Sequence, residues 1–199
     1  MRFALLLPLL VLLACSSEQE PAEPSIAPGT CLQLEVAIGG GFKVDGASCP
    51  ADHLGSALAR ALEAGDRSAV VDVTCGDGVT MESIRVLHQV MLDHGLHRIQ
   101  YLREPESAIP LMLPNAQMTA HLDALPDEER CIVAVAAGGE ATLAGGDFDR
   151  EAVRRTLETN HDVVFIVAVS TEVSYLDFAR VLGEVTEAGA ERVTVQIIA

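Results

Sequence analysis

The chain has 199 residues, of which 49% are hydrophobic and 4% aromatic, and its 13 Lys and Arg against 29 Asp and Glu give a formal net charge of −16. This length fits one domain or two small ones, and the hydrophobic fraction excludes a wholly disordered chain. Nucleic acid and anionic lipid headgroups are recognised by clusters of Lys and Arg, which the sequence lacks, so neither is an expected partner.

Residues 1–14 combine one basic residue, Arg2, with an apolar run that ends directly before Cys15. The run is too short to span a hydrocarbon core of roughly 30 Å, so it predicts a signal peptide and not a membrane helix. Its end, LLAC at 12–15, resembles the bacterial lipobox, which implies cleavage before Cys15 and acylation of that cysteine, for example with palmitate. The alternative is an ordinary signal peptide in which a cysteine happens to lie near the cleavage site.

Residues 15–30 are rich in Pro, Glu and Ser and show no hydrophobic periodicity, which predicts a tether. Acyl chains contribute roughly 0.8 kcal/mol per buried methylene, so a lipid on Cys15 would anchor the chain to a membrane. We therefore expect a protein of the bacterial cell envelope that faces the periplasm. Ser16 follows the cysteine where Asp would favour the inner membrane, which favours the outer membrane.

The rest of the sequence contains one pattern twice. The segment 70–102 aligns with 164–197, without a gap in its central part, and equivalent residues there lie 94 positions apart. Upstream, VAIGGGFKV at 36–44 matches VAVAAGGEATL at 133–143. An internal repeat of this length predicts two copies of one folded unit.

We expect unit one at 31–102, unit two at 131–199 and a Pro-rich connector at 103–130, in which 116–125 can form a short helix. Each unit predicts the order ββαβαβ. The expected strands are 33–38, 41–45, 69–73 and 97–102 in unit one and 131–136, 140–144, 163–169 and 191–197 in unit two.

The helices follow from apolar residues at helical spacing. The first helix of each unit is expected after an N-cap at Asp52 or Asp147, and the second is expected to end at Gly95 or Gly189. The pattern predicts an α/β fold of the α+β two-layer sandwich type. It consists of two tandem units, each a small sheet with both helices on one face.

The second helix and its surroundings resemble the periplasmic domain of the ExbD/TolR biopolymer-transport family. Unit two carries the pattern as VSYLDFARVLGEVTEAGAERVTV, with Val173, Tyr175 and Gly189 in the expected places. Unit one carries the same pattern with Met81 in place of the tyrosine, and FKVDG at 42–46 is similar to the short second strand of the family.

Members of that family carry one such domain after a transmembrane helix whose Asp takes part in proton-driven work. No segment of this sequence matches that helix, so the resemblance does not imply a proton-conducting subunit. It implies the role of the periplasmic domain, which is to dimerise, to contact peptidoglycan and to meet partner proteins. Two units in tandem are expected to mimic such a dimer within one chain.

We therefore expect a non-catalytic lipoprotein that binds a protein partner or peptidoglycan in a transport or envelope-integrity system. A purely structural tether without a ligand of its own is an alternative. The strong acidity favours a protein over peptidoglycan, whose stems carry carboxylates themselves. The sequence has no G-x-S-x-G, H-E-x-x-H or P-loop motif, and no cofactor is expected. Asp72 and Asp77 are acid–base candidates, but unit two has Ile166 and Thr171 at the equivalent positions.

Four cysteines besides Cys15 remain in the exported part: Cys31, Cys49, Cys75 and Cys131. In an exported protein four cysteines predict disulfides, with three connectivities. Cys31 faces Cys49 if the glycine turn between them closes a hairpin, and that bond would leave Cys75 to pair with Cys131. Free thiols that behave as small hydrophobic side chains are the alternative.

Three histidines, His88, His94 and His97, lie near the end of one predicted helix, and Cys75 and His53 are candidates for the same sheet edge. Such residues bind metals, but the paired spacings of zinc sites, such as C-x2-C or H-x3-H, are missing. We therefore expect surface histidines and no metal. A metal-binding or small-ligand-binding lipoprotein that uses this Cys/His edge is the alternative function.

Overall fold

The structure is a computed structural model that describes residues 31–62, 69–104, 107–114 and 116–198. The predicted signal peptide, the lipidation site Cys15 and the tether lie outside the described residues.

Unit one contains five strands and two helices, followed by one strand and one helix of the connector. In chain order they are β1 (Cys31–Val36), β2 (Phe42–Val44), β3 (Ala47–Cys49), α1 (Leu54–Ala61), β4 (Val70–Cys75), α2 (Met81–Asp93), β5 (Arg98–Glu104), β6 (Ser107–Met112) and α3 (Ala116–Ala124). Unit two repeats the order with β7 (Arg130–Val135), β8 (Ala141–Leu143), β9 (Gly146–Asp147), α4 (Arg150–Thr159), β10 (Val164–Ser170), α5 (Tyr175–Glu187) and β11 (Val193–Ile198).

The strands form two sheets. Sheet one has the order β3-β2-β1-β4-β5-β6, and sheet two has the order β11-β10-β7-β8-β9. The central strands β1, β4 and β5 run parallel, as do β7, β10 and β11, because a helix connects each consecutive pair. The predicted α/β fold with two tandem units is confirmed. The short strands β3 and β9, and β6 in the connector, were not predicted.

The repeat is visible in the backbone as well as in the sequence. Helices α2 and α5 have 13 residues each and start 94 positions apart. The hairpins β1–β2 and β7–β8 are 99 positions apart, and both end in a turn with two positive φ angles: 47° and 81° at Asp45 and Gly46, and 48° and 81° at Ala144 and Gly145. The change of offset arises between the first helix and the next strand, where unit one has the longer connection.

Both second helices end as predicted, at a glycine. Gly95 has a φ of +72°, a conformation that glycine adopts without strain, and the Leu96 N–H donates to the Met91 carbonyl oxygen at 2.9 Å. The same bonds form around Gly189, whose φ is +104°. The chain therefore turns sharply into β5 and into β11.

The predicted N-caps are wrong by one residue for α1, whose N-cap is His53, and by two residues for α4, whose N-cap is Asp149. Asp52 lies inside a short 3₁₀ turn, Ala51–His53, and Asp147 lies in β9. The carboxylate that caps α4 is Asp149, which accepts a hydrogen bond from the Ala152 N–H at 2.6 Å. The unpredicted third strand of each unit displaces the start of the helix.

The core lies between each sheet and its helices. In β1 every second side chain is buried, namely Leu32, Leu34 and Val36, while the residues between them face solvent. This alternation is expected for a sheet with helices on one face. In unit two, by contrast, the six residues from Val164 to Val169 are all buried.

Candidate functional site at the junction of the two units

The loops that precede α2 and α5 cross each other and hold the two units together. The Met81 N–H donates to the Val173 carbonyl oxygen at 2.9 Å, and the Tyr175 N–H donates to the Val79 carbonyl oxygen at 2.8 Å. The residues between them form an isolated antiparallel β-bridge. Donors and acceptors are equivalent positions of the repeat, so exchanging the units reproduces both bonds. This is the geometry of a twofold dimer contact, formed here within one chain.

An aromatic cluster continues this contact into the core. Tyr101 of β5 lies with its ring centroid 5.7 Å from that of Tyr175 and 5.5 Å from that of Phe178, both on α5. The Phe178 contact is edge-to-face, with an interplanar angle of 82°, an arrangement that aromatic rings favour. Side chains of unit two thus pack directly on the sheet of unit one. We call these rings, His88 and the segments 79–81 and 173–175 the junction.

His88 contributes a buried polar pair to the junction. Its Nε2 is hydrogen-bonded to the Tyr101 hydroxyl. Because His88 is fully enclosed, burial lowers the pKa of its imidazole from 6.5 to about 3, so the ring stays neutral at physiological pH. Burial also raises the pKa of Tyr101. The equivalent residues of unit two are Leu182 and Val195, which are apolar.

The prediction of surface histidines is therefore wrong for His88. Its position gave a signal, because it follows Ile84 by four residues and precedes Met91 by three, on the apolar face of the helix. His53 and His94 are exposed, as predicted. The Nδ1 of His97 is buried and has no hydrogen-bond partner among the described residues.

The structure does not assemble the Cys/His edge of the alternative function. Within the described ranges, no group of three or more His, Cys, Asp or Glu side chains is placed to hold a metal ion. His94 lies at the end of α2 beside Gly55, where a Cβ added to the glycine would come within 2.7 Å of the imidazole Nε2. It thus packs against α1.

All four described cysteines are free thiols, so the predicted disulfides are not present. Cys31 starts β1, whereas Cys49 ends β3 and lies opposite Phe42, which in turn lies opposite Val36 at the other end of β1. The Cys31–Cys49 pairing is wrong because β2 runs back along β1 only to the level of Leu34, where the chain reverses again at Asp45. Strand β3 then carries Cys49 toward the Val36 end of β1, away from Cys31.

The remaining pair does not form either. Cys75 also lies opposite Val36, so Cys75 and Cys49 share one end of the sheet, with β1 and β2 between them. Cys131 is buried in β7 of sheet two. The structure therefore supports the alternative of separate thiols.

None of these thiols is activated for chemistry. The Cys31 thiol donates a hydrogen bond to the Asp72 carboxylate at 2.9 Å, and this bond, with burial, raises the pKa of Cys31 to about 11. Burial raises the pKa of Cys49, Cys75 and Cys131. A nucleophilic cysteine needs the opposite shift. Of the two acid–base candidates, Asp72 accepts a hydrogen bond from the Cys31 thiol. Asp77 lies in an exposed turn after β4.

Unit one has a cleft of about 380 Å³ beside its glycine turn, where the wall includes Gly40, Thr80 and Ser83. The N–H groups of Met81 and Glu82 at the start of α2 do not serve this cleft, since they donate to carbonyl oxygens of unit two. These N–H groups at the start of α2 are therefore not available to a ligand in the cleft.

In unit two the equivalent glycine turn is closed by side chains of α5. The Arg180 guanidinium donates to the Gly139 carbonyl oxygen at 2.8 Å. The Asp177 carboxylate lies so close that a Cβ on Gly139 would come within 2.4 Å of it. The two units therefore differ in the space that they leave at this turn.

A larger cleft, of about 580 Å³, separates the units on the side of β6 and β11. Its walls come from both units: Val70, Arg98 and residues of β6 on one side, and Thr186, Ala190, Glu191 and Val193 on the other. Clefts between domains of this size are common places for binding.

No protein-family model matches the chain, and no curated protein matches it. Among the described helices, none is both long enough and apolar enough to cross a membrane.

Proposed function

We propose that the chain is a non-catalytic lipoprotein of the bacterial cell envelope, in which two ExbD/TolR-like units act together as one binding body for a protein partner. The observation that carries this proposal is the junction. Its two hydrogen bonds, between Val79 or Met81 and Tyr175 or Val173, relate the units as the halves of a dimer. A binding domain that works as a pair would need such a contact.

The proposed attachment to the membrane is supported by the sequence. The lipobox-like end of the apolar run supports acylation at Cys15, and the acidic, Pro-rich residues 15–30 would link the anchor to unit one. This link would keep the paired units close to the membrane and leave them accessible from the periplasm.

The surface favours a protein over peptidoglycan. A chain with a formal charge of −16 is repelled by the carboxylates of peptidoglycan stems. Two large apolar side chains are exposed close to the junction: Ile38, which contacts Gly78 ahead of α2, and Leu176 in the first turn of α5. Exposed apolar side chains beside a rigid backbone are typical of protein contacts.

The anchor is tested by fractionation of cells that carry the wild-type chain or the variant Cys15→Ala. The proposal predicts that the wild type is found with membranes and carries a mass increase from acyl chains, and that the variant is released. A wild-type chain that is recovered without acyl chains would overturn the anchor.

The partner is tested by photo-crosslinking in the same cells, with a photoreactive residue at Ile38 or Leu176 and a matched control at Glu158, which is exposed on α4. We expect one discrete crosslinked product at the first two positions and none at Glu158. Cosedimentation of the purified chain with peptidoglycan sacculi separates the other case. Pelleting without a crosslinked product would identify peptidoglycan as the partner in place of a protein. The absence of both pelleting and a crosslinked product would overturn the binding role.

A further inference from the structure

The glycine turn after the first strand has the same backbone in both units but different neighbours. Gly40 and Gly139 both have a φ of +81°, and the N–H of each donates to the carbonyl oxygen of the alanine three residues before it, at 3.3 and 3.0 Å. The second helix of the unit faces this turn in both cases. A Cβ added to Gly40 would lie 4.0 Å from the Ser83 Oγ, whereas one added to Gly139 would collide with the Asp177 carboxylate. The two turns are therefore equivalent sites, of which only the second is crowded.

In unit two an arginine completes the turn. The Arg180 guanidinium donates to the Gly139 carbonyl oxygen at 2.8 Å and to the Glu184 carboxylate at 3.2 Å. The arginine thus supplies a donor to a backbone oxygen that the hairpin itself does not use. The repeat thereby shows one group that this turn accepts, namely a guanidinium on the side of the second helix.

Unit one lacks this arginine and has a cleft instead. The residue equivalent to Arg180 is Val86, and within the described ranges no group donates to the Gly40 carbonyl oxygen. Since the two turns have the same φ angles and hydrogen bonds, we expect this oxygen to face α2 as that of Gly139 faces α5. The cleft of about 380 Å³ between the turn and α2 has apolar walls from Phe42, Val79 and Val86.

The charges beside the cleft favour a cation in it. The Glu82 carboxylate is part of the wall, and its partner Arg85, at 2.6 Å, is thereby already neutralised. Asp77 precedes Gly78 of the wall, is exposed, and has no ion-pair partner in the described part of the chain. The chain as a whole carries a formal charge of −16, which attracts basic groups and repels acidic ones.

We propose that the cleft of unit one binds an arginine side chain of a partner protein, which takes the place that Arg180 holds in unit two. The guanidinium donates to the Gly40 carbonyl oxygen, and the aliphatic part of the side chain lies on Phe42 and Val86. Arginine suits this cleft better than lysine, because the guanidinium is more weakly hydrated than an ammonium group and presents five donors in one plane. Arginine is also one of the residues that most often dominate the binding energy of a protein interface.

This inference rests on the proposed function and names one side chain of the partner. Ile38, which is 70% exposed, lies at the rim of the cleft, since a Cβ added to Gly78 of the wall would be 3.7 Å from it. A partner segment that places an arginine in the cleft would therefore pass over Ile38, the position chosen for photo-crosslinking in unit one.

The test uses N-acetyl-arginine-amide as the probe and records backbone amide resonances of the purified full chain in detergent. We expect saturable shifts at Gly40 and Ser83, with a Kd on the order of 1 mM, as befits a ligand of one side chain. The matched control lies in the same chain: Gly139 and Asp177 should not shift, because Arg180 already occupies their turn.

Two further probes separate charge from shape. N-acetyl-citrulline-amide has the same length as the arginine probe but no charge, and we expect it to bind roughly tenfold more weakly, because charge-assisted hydrogen bonds are the stronger ones. N-acetyl-leucine-amide tests whether the apolar walls alone suffice, and we expect no saturable shift with it. Both probes leave the chain unchanged and so do not depend on the folding of a variant.

The variant Val86→Arg rebuilds in unit one the arginine of unit two. Its guanidinium should occupy the cleft from within the chain, so that the arginine probe no longer shifts Gly40. In cells, the same variant should remove the crosslinked product at Ile38. Gln89→Arg is the matched control, because Gln89 is exposed on α2, is not part of the cleft wall, and adds the same charge.

The inference would be overturned if the arginine probe gave no saturable shift, if citrulline or leucine bound as well, or if Gly139 shifted as much as Gly40. A crosslinked product at Ile38 that survives Val86→Arg would also overturn it, but would leave the proposed function standing. The absence of any crosslinked product from the wild-type chain is a different result, since it removes the protein partner of the proposed function even where the probe binds.

Discussion

The two units share a backbone plan and differ in what they place on it. Turns with positive φ recur at equivalent positions, and α2 and α5 have the same length and the same glycine end. Yet unit one buries the polar pair His88 and Tyr101 where unit two has Leu182 and Val195. Strand β5 also pairs with β6 at the edge of sheet one, whereas β11 has no second hydrogen-bonded strand within the described part of the chain. The turns and the order of the central strands are therefore the same in both units, whereas the sheet edges and the side chains at the junction differ.

The junction itself is unequal. Helix α5 has seven buried residues, and α2 has five. The two additional buried residues of α5 are Ala179 and Gly183, where α2 has Arg85 and Gln89. Because Tyr175 and Phe178 of α5 also pack on Tyr101 of unit one, changes in α5 should affect both units.

The largest expected effect comes from Phe178→Ala. Phe178 is fully buried and packs on Tyr101, so the loss of the ring should lower the free energy of unfolding by about 4 kcal/mol, measured by urea denaturation. Amide exchange in β5 should also accelerate, although β5 belongs to the other unit. The matched variant Ile84→Ala, at the equivalent position of α2, controls for a lost core side chain. If Phe178→Ala left exchange in β5 unchanged, the aromatic contact would not couple the units.

A smaller effect concerns pH. Since the pKa of His88 is about 3 in the folded chain and 6.5 in its ordinary state, the unfolded chain binds the proton more readily. This contribution to stability is therefore complete above pH 6.5 and is lost as the pH falls toward 3. At pH 5 the loss is about 2 kcal/mol, measured by urea denaturation at pH 7 and pH 5.

The control makes unit one resemble unit two. The double variant His88→Leu with Tyr101→Phe removes both polar partners and should remain folded at pH 7, because replacing both members of a buried hydrogen bond by apolar groups is nearly neutral. It should also lose about 2 kcal/mol less than the wild type between pH 7 and pH 5. An equal loss in both proteins would assign the pH dependence to other groups.

The smallest effect distinguishes the two ends of the β-bridge. The Ser174 hydroxyl accepts a hydrogen bond from the Asp177 N–H at 3.1 Å, and Thr80 makes no such cap. Ser174→Ala should therefore lower the free energy of unfolding by about 1 kcal/mol, and Thr80→Ala by less than about 0.5 kcal/mol. Both variants are measured by thermal and urea denaturation. If Ser174→Ala and Thr80→Ala lowered the free energy of unfolding equally, the side-chain cap would not be the difference between the two ends.

The sequence alone predicted the features that depend on local patterns. The helix periodicity and the glycine ends at Gly95 and Gly189 are carried by residues within one or two turns of chain, and the repeat is visible when two segments of the sequence are aligned. The strand β6 was not predictable in the same way. It contains Pro110, which normally argues against a strand, and only its place at the outer edge of sheet one makes the proline acceptable.

The wrong predictions concern residues whose partners are distant in the sequence. Cys31 and Cys49 appeared to face each other because the second reversal at Asp45 was not anticipated. His88 was expected at the surface because its partner, Tyr101, comes from the next strand and because unit two adds the aromatic rings that enclose the pair. Pairing across a sheet and packing between units are decided by the whole fold, and single-sequence patterns do not contain them.

The central claim is that the two units form one body through the junction, and hydrogen exchange of two amides tests it most directly. The Met81 and Tyr175 N–H groups donate across the junction. We predict that both exchange as slowly as the amide of Val167, in the middle of sheet two, because they open only when the chain unfolds. If Met81 and Tyr175 exchanged orders of magnitude faster than Val167, the units would separate while folded, and the account of a paired binding body would be contradicted.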